Sequence, residues 1–180
     1  VLTNDDVAVE DSSFTTGRRG VAATVIVEKI VGSLAEYGGS LEECKKLGDK
    51  VNKNSGTMGV AFSSCIVPAA GNPTFKLGAD EMEFGVGIHG EPGRRRDKIK
   101  SAREITNELL NAIIEDLKPE NKDEILLFVN GMGGTPLSEL YLVYDNAIKM
   151  LDNKKIKIAR SLVGNYCTSL EMQGASITLT

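Results

Sequence analysis

The sequence predicts an α/β domain, a mixed β-sheet with helices mainly on one face. Three observations carry that prediction. Apolar residues recur with helical spacing in four stretches and with strand-like alternation between them, the two periods taking turns along the chain. Ile125-Leu126-Leu127-Phe128-Val129 is a continuous apolar run of strand length, as a central strand covered on both faces requires. Glycine, proline and asparagine breaks separate the periodic segments at lengths suited to short connections. At 180 residues, with 41% hydrophobic and 26% charged residues, residues 1–180 read as a single domain with a real core.

Taken in order, Val7-Ala8-Val9 reads as a short strand or strand end flanked by Asp5, Asp6, Glu10 and Asp11. Four carboxylates this close suit either a cation or a solvated surface, and Arg18 and Arg19 in the following glycine-containing loop are favoured as their partners. From Val21 the period becomes helical, with Val21, Val25, Ile30 and Leu34 on one side, Val27 and Val31 broadening the stripe, and Gly38-Gly39 as the stop. Ser40 followed by Glu43 is a capping box that starts a second helix, whose narrow apolar face is Leu41, Cys44, Leu47 and Val51. Cys44 on that stripe reads as a packing residue.

Thr57 to Cys65 reads as a strand with one covered face, since Val60, Phe62, Ser64 and Ile66 alternate with smaller residues. Glu81 to Ile88 alternates too. It sets Met82, Phe84, Val86 and Ile88 on one face and Glu83, Gly85, Gly87 and His89 on the other. A helix is expected from Ile99 to Leu117, ended by Lys118-Pro119, with Ile105, Leu109, Ala112, Ile113 and Leu117 as its stripe. The apolar run at 125–129 empties into Asn130-Gly131-Met132-Gly133-Gly134-Thr135-Pro136, where Thr135 can cap a helix bearing Leu140, Tyr144, Ala147, Ile148 and Leu151. Ile156, Ile158, Arg160 and Leu162 give another strand, and Ala175, Ile177 and Leu179 the last.

Two places suggest chemistry. The loop at 130–136 has the strand–glycine–helix form that offers backbone N–H groups to an anion, but it lacks the lysine of a phosphate loop and the dinucleotide spacing. A well-capped tight turn is the favoured alternative. The stretch from Gly85 to Arg96 holds the single histidine of the chain among four glycines and one proline. Alternation places His89 at a strand end beside two positions without side chains, which leaves room for a small molecule against the ring. Glu91 two residues on is placed to orient the ring, and Arg94-Arg95-Arg96 adds positive potential. A nucleophilic cysteine at Cys65 would have only His89 as its base, and without geometry that pair stays open.

These residues also carry a likeness. Gly87-Ile88-His89-Gly90-Glu91-Pro92-Gly93-Arg94-Arg95-Arg96 resembles the substrate-histidine motif of the DhaK family, the dihydroxyacetone-binding subunits of dihydroxyacetone kinases. Asp5 to Ser12 running into Phe14 to Gly20, Ser63-Ser64-Cys65 with Pro68, and Asn130 to Pro136 agree with the same family in the same order. The resemblance implies the family's DAK1/DegV-like two-layer second domain, without the family's N-terminal part. It implies that His89 is catalytic, holding dihydroxyacetone as a covalent hemiaminal for phosphorylation to dihydroxyacetone phosphate, with Gly87, Gly90 and Glu91 binding substrate beside it. It implies no cofactor in this domain, and ATP or ADP with magnesium on a nucleotide-carrying DhaL-type partner subunit. The donor is ATP directly or the phosphoenolpyruvate phosphotransferase system. The family's second histidine and its aspartate belong to a preceding glycine-rich part, so this chain by itself is expected to be inactive. A co-activator paralogue that senses dihydroxyacetone without turnover is the alternative, and an α/β interaction module the third.

Composition narrows the rest. A net charge of −4 gives no footprint for nucleic acid. No apolar run is long enough to span a bilayer. Three cysteines without a CxxC pair, and one histidine, argue against a disulfide framework or a zinc site. A reducing, cytoplasmic setting is therefore the default, and the resemblance implies a homodimeric parent subunit. The chain begins at Val1 in what reads as a strand and ends at Thr180 within an apolar alternation, so it reads as a piece of a longer polypeptide.

Overall fold

The apolar run from Ile125 to Val129 lies inside strand β4 (Glu124–Gly131), whose last five residues are all buried. The computed structural model describes residues 1–9, 17–88, 91, 93–120 and 123–180. The other strands are β1 (Gly56–Ala61), β2 (Glu81–Phe84), β3 (Arg95–Lys98), β5 (Lys157–Gly164) and β6 (Gly174–Leu179). They form one sheet in the order β3-β2-β1-β6-β4-β5. Among the described residues only the β4–β5 strand pairing is parallel, so the sheet is mixed, as expected.

Among the described residues four helices cover it: α1 (Ala23–Glu36), α2 (Leu41–Lys53), α3 (Ala102–Leu117) and α4 (Leu137–Asn153). Period two splits β4 between two environments. Leu127 and Val129 join Met58, Val60, Met82, Phe84, Ile177 and Leu179 under α3 and α4 in the larger core. Phe128 points the other way, against Ile26 and Val27 of α1 and Val51 of α2. Burying Phe128 completely contributes about 1.5–3 kcal/mol. Helices α3 and α4 span one face. The α1–α2 pair adds a further layer on the opposite face, over Phe128. Further along that face Ala61 at the end of β1 joins Cys65, Val86, Met132 and Met172 from loops in a third cluster.

Several boundaries differ from expectation, each for a local reason. Strand β1 ends at Ala61 rather than Cys65, because the Phe62 and Ser63 N–H groups both turn to the Gln173 carbonyl. All six of its residues are buried, so both its faces are covered rather than one. Strand β2 stops at Phe84, since Gly85 turns with φ +76° and gives its N–H to Gly59 O. The alternation breaks there, which is why Val86 leaves the Met82–Phe84 face for the third cluster. Strand β3 went unpredicted, as Arg-Arg-Asp-Lys has no apolar period. Its charges suit a sheet edge, where they deter pairing with another chain.

Helix α3 begins at Ala102, three residues after the expected Ile99, behind a capping box formed by Ser101 and Glu104. The expected box at Ser40 and Glu43 is present. In α1 the most deeply buried apolar side chain after Ala23 is Ile26, one position off the expected Val25 line, while Leu41 at the start of α2 is 88% exposed. Thr135 does not cap α4; its hydroxyl donates to Gly174 O and accepts from Gly174 N–H, and Pro136 stands at the cap position.

Candidate functional site

Strand β2 delivers the chain into the turn that carries the predicted site, and a set of hydrogen bonds closes that turn at its base. Arg94 N–H donates to Phe84 O at 2.7 Å, and Gly93 N–H donates to Glu83 Oε1 at 2.8 Å. Glu83 is 6% exposed, and its other oxygen accepts from Arg96 Nε at 3.1 Å. Higher up, Gly87 N–H donates to Glu91 O at 3.3 Å. His89 and Gly90 lie outside the described residues, as does Pro92. Of the predicted site, Gly87 and Glu91 are therefore the residues whose placement is described.

Those two are in contact. A β-carbon on Gly87 would overlap Glu91 Oε2 and would sit 3.2 Å from Arg19 Nη1. Glycine at this position is thus required for the close approach of a carboxylate and a guanidinium to the backbone. Arg19 is anchored from below. Its Nε donates to Asp6 Oδ2 at 2.8 Å, its Nη2 lies 2.7 Å from the same oxygen, and Nη2 also donates to Gly85 O at 2.8 Å. Asp6 is held in turn by Ala8 N–H at 2.9 Å and by a bridge to Thr57 of β1. Beneath the turn, Asp6, Gly59, Val86, Ile88 and Met132 line a cavity of about 10 Å³, room for one water-sized sphere.

The expected pairing of the acids with Arg18 and Arg19 is thereby resolved residue by residue. Arg19 takes Asp6, whereas Arg18 forms a two-pronged contact with Asp116 on α3. Asp5 pairs instead with backbone, accepting from Val21 N–H and Ala23 N–H at 2.9 Å each. Glu10 and Asp11 lie outside the described residues. Among the described residues, no group of three His, Cys, Asp or Glu side chains is placed to hold a metal ion. The arginine triplet is spread over three anchors rather than massed. Arg94 Nε donates to Ala8 O, Arg95 stacks 4.6 Å from the Phe84 ring centroid and pairs with Glu108, and Arg96 reaches Glu83.

Burial pushes the Asp6 carboxyl above its ordinary value near 3.8, against the pull of Arg19 and the Ala8 N–H, with Asp5 adding to the rise. The sign of the consequence is definite. The folded chain holds the Asp6 proton more tightly than the unfolded chain, so this group's contribution to stability falls as pH rises from about 3.8 to the folded value and is level above it. The paired Asp116, held below its ordinary value chiefly by Arg18, acts in the opposite sense. Urea unfolding across the acid range is expected to show a stability difference between Asp6→Asn and wild type that grows in the mutant's favour with rising pH through that window. A pH-independent difference would contradict it.

The glycine loop at 130–136 reads as structural. Met132 N–H donates to Gly174 O and Gly134 N–H to Met172 O, so these donors face protein rather than an anion. The Asn130 side chain accepts from Tyr166 and Cys167 N–H and donates to Cys167 O. The cysteines also serve packing. Cys65 is 2% exposed within the third cluster, 3.8 Å from Thr74 Oγ1, and Cys44 Sγ lies 3.8 Å from Gly39 O. Burial pushes the Cys167 thiol up, away from the reactive thiolate. Arg19 and Glu83 also belong to the surroundings of this turn, beyond the residues expected there. Glu83 was visible as a carboxylate in an alternation otherwise filled by glycines, but Arg19 comes from a loop 66 residues before the carbonyl it binds.

Comparison with known proteins adds the following. The Dak1 domain family model matches residues 1–180. The dihydroxyacetone-binding subunit DhaK of PTS-dependent dihydroxyacetone kinase 1 from Listeria innocua is 50% identical over 179 residues, covering 99% of this chain and 54% of the relative. The solved structure of the dihydroxyacetone kinase operon co-activator Dha-DhaQ superposes with a TM-score of 0.90 at 36% identity, over 99% of this chain and 55% of its own. Dihydroxyacetone kinase from C. freundii, solved in complex with AMP-PNP and Mg2+, gives 0.87 at 25% identity, over 99% of this chain and 32% of its own. A DegV lipid-binding protein from Thermotoga maritima shares the fold at a TM-score of 0.61 and 10% identity, over 99% of this chain and 67% of its own. The chain spans about half the length of the curated relatives it matches. Among the described residues no helix is long and apolar enough to cross a membrane.

Proposed function

The chain belongs to the Dak1 domain family, and we propose that it is the ketose-holding domain of a dihydroxyacetone phosphotransferase subunit. His89 is the capturing residue, with Gly87, Gly90 and Glu91 around the substrate. The observation that carries this reading is the Gly87–Glu91 contact, which sets a carboxylate over a side-chain-free backbone within two residues of the single histidine. The 50% identity to a dihydroxyacetone-binding subunit supports it.

The chemistry follows from the size of the ligand. Dihydroxyacetone makes few contacts, so a reversible C–N bond supplies affinity that burial of so small a molecule does not. An imidazole nitrogen adds to the ketone carbon, the carbonyl oxygen gains a proton and the ring gives one up, leaving a neutral hemiaminal. The attacking ring must be neutral to offer its lone pair, so acidification weakens capture. Glu91 fixes the tautomer by accepting from the other ring nitrogen. Glycerol has no electrophilic carbon and is rejected.

Residues 1–180 form one domain of this subunit, whose parent is a cytoplasmic homodimer. The hydroxyl-activating histidine and aspartate come from a part of the family fold preceding this domain. ATP or ADP with magnesium sits on a DhaL-type partner, so this domain alone does not turn over. A non-enzymatic sensor of the same ketone is the second reading, favoured by the TM-score of 0.90 to a co-activator.

The test uses the full-length subunit with dihydroxyacetone labelled at the carbonyl carbon. Carbon NMR is expected to show that carbon become tetrahedral on binding, and His89→Ala to lose both this signal and the discrimination against glycerol. A bound ligand that keeps its ketone signal would remove the capture mechanism. Adding the partner subunit and a phosphoryl donor then separates the readings: dihydroxyacetone phosphate marks the kinase, and capture without product the sensor.

A further inference from the structure

We propose that Arg19 is a positioning residue for the ketone-capturing turn, acting on it at Gly85, Gly87 and Glu91 while Asp6 holds it from behind; the inference rests on the capture reading above. The Arg19 side chain is 14% exposed and that of Asp6 is 3% exposed, so this is a largely buried ion pair. Such pairs stabilise a fold only weakly against apolar replacements, which makes their position the informative property. Here the guanidinium joins elements far apart in sequence. Its Nε and Nη2 lie on Asp6, itself bridged to the central strand β1, and Nη2 also binds Gly85 O, where the turn leaves β2. Its Nη1 faces the Gly87 Cα from the side on which Glu91 Oε2 presses. One planar cation thus bonds the start of the turn and lies against the backbone at its middle, where Glu91 also approaches.

Arginine suits this task because its fork makes several directed bonds from one rigid plane. Lysine would place one charge near Asp6 and satisfy fewer of these contacts at once. The competing role is charge compensation, in which Arg19 merely neutralises a buried Asp6. The two roles separate when Asp6 is made neutral. A compensator becomes dispensable in the Asp6→Asn/Arg19→Met double variant, whereas a positioning residue does not.

The experiment measures adduct formation by the same carbon signal in the full-length subunit, and KM and kcat with its partner subunit and phosphoryl donor. Wild type, Arg19→Lys and Asp6→Asn/Arg19→Met are compared, with thermal unfolding alongside. The double variant is expected to fold, yet to need about tenfold or more dihydroxyacetone for the same adduct, the order of loss that sub-ångström misplacement of a reacting group produces. Arg19→Lys is expected to raise KM by a similar factor with kcat changed less. A folded double variant that captures the ketone as wild type does would overturn the positioning role. Should the double variant not fold, Arg19→Lys decides alone, and unchanged KM and adduct affinity would overturn it equally. A wild-type protein without the tetrahedral signal sinks the capture reading itself, a result distinct from either.

Discussion

Gly133→Ala is expected to destabilise the domain by about 3 kcal/mol or more, lowering Tm by roughly 10 °C for a chain of this size. Two costs combine. Gly133 has φ +119°, outside any region a side chain accepts readily, and a β-carbon there would overlap the Leu170 carbonyl oxygen. The neighbour cannot easily withdraw. Ser169 N–H is bonded to Met132 O, Gly134 N–H to Met172 O, and Met172 N–H to Ser169 O, so the segment bearing Leu170 is pinned on both sides of the clash. Urea unfolding of the purified variant measures the loss, and a cost below about 1 kcal/mol would show that the crossing is slack. The loop is therefore expected to be intolerant for reasons of backbone proximity, with no ligand needed to explain its glycines.

The second large effect is expected at Asp5. Its carboxylate is fully buried and accepts from Val21 N–H, just before the cap position, and from Ala23 N–H, the first amide of α1. Helix starts leave such amides without partners, and Ala22 at the cap position has no oxygen to offer. A residue distant in sequence does the capping, with a full charge at the positive end of the helix dipole. Asp5→Ala is expected to cost about 3 kcal/mol, since two charge-assisted bonds disappear and two buried donors are stranded. Ser40→Ala, at an exposed cap, is expected to cost about 1 kcal/mol by comparison. Denaturant unfolding of both variants provides the check; equal costs would mean that Asp5 is no more than an ordinary cap.

What the sequence disclosed depended on whether a signal was periodic and local. The stripe of α3, the capping box at Ser40 and the two-sided burial of β4 as an interior strand are local patterns, and all three are found, although β4 lies beside the edge strand β5 rather than at the centre of the sheet. Strand β3 was hidden because its residues are chosen for a charged sheet edge and show no apolar alternation. The double-sided burial of β1 was hidden because Gly59 and Ala61 leave one face too small to register as hydrophobic, although loops cover it. At the candidate site, Gly87 and Glu91 were readable from their spacing about His89. The pairing of Arg19 with an acid of the 5–6 pair was expected, but its place at this turn was not legible, since its bond to Gly85 O spans 66 residues. A buried ion pair looks the same in sequence as two solvated charges. Thr135 illustrates the reverse, a residue of the right type before a helix whose hydroxyl is taken by a strand rather than by the helix.

The sheet order has a consequence for how the chain reaches this state. Strand β6 sits between β1 and β4, and the hydroxyls of Thr57 and Thr178, 121 residues apart, meet at 2.7 Å. Until residues 174–179 arrive, the β3-β2-β1 group and the β4–β5 group share no strand pairing and leave two apolar edges open. During synthesis, the polypeptide therefore remains unsealed until this segment has emerged. Pairing at such separation is slow, so the half-made sheet is exposed to wrong partners throughout the wait.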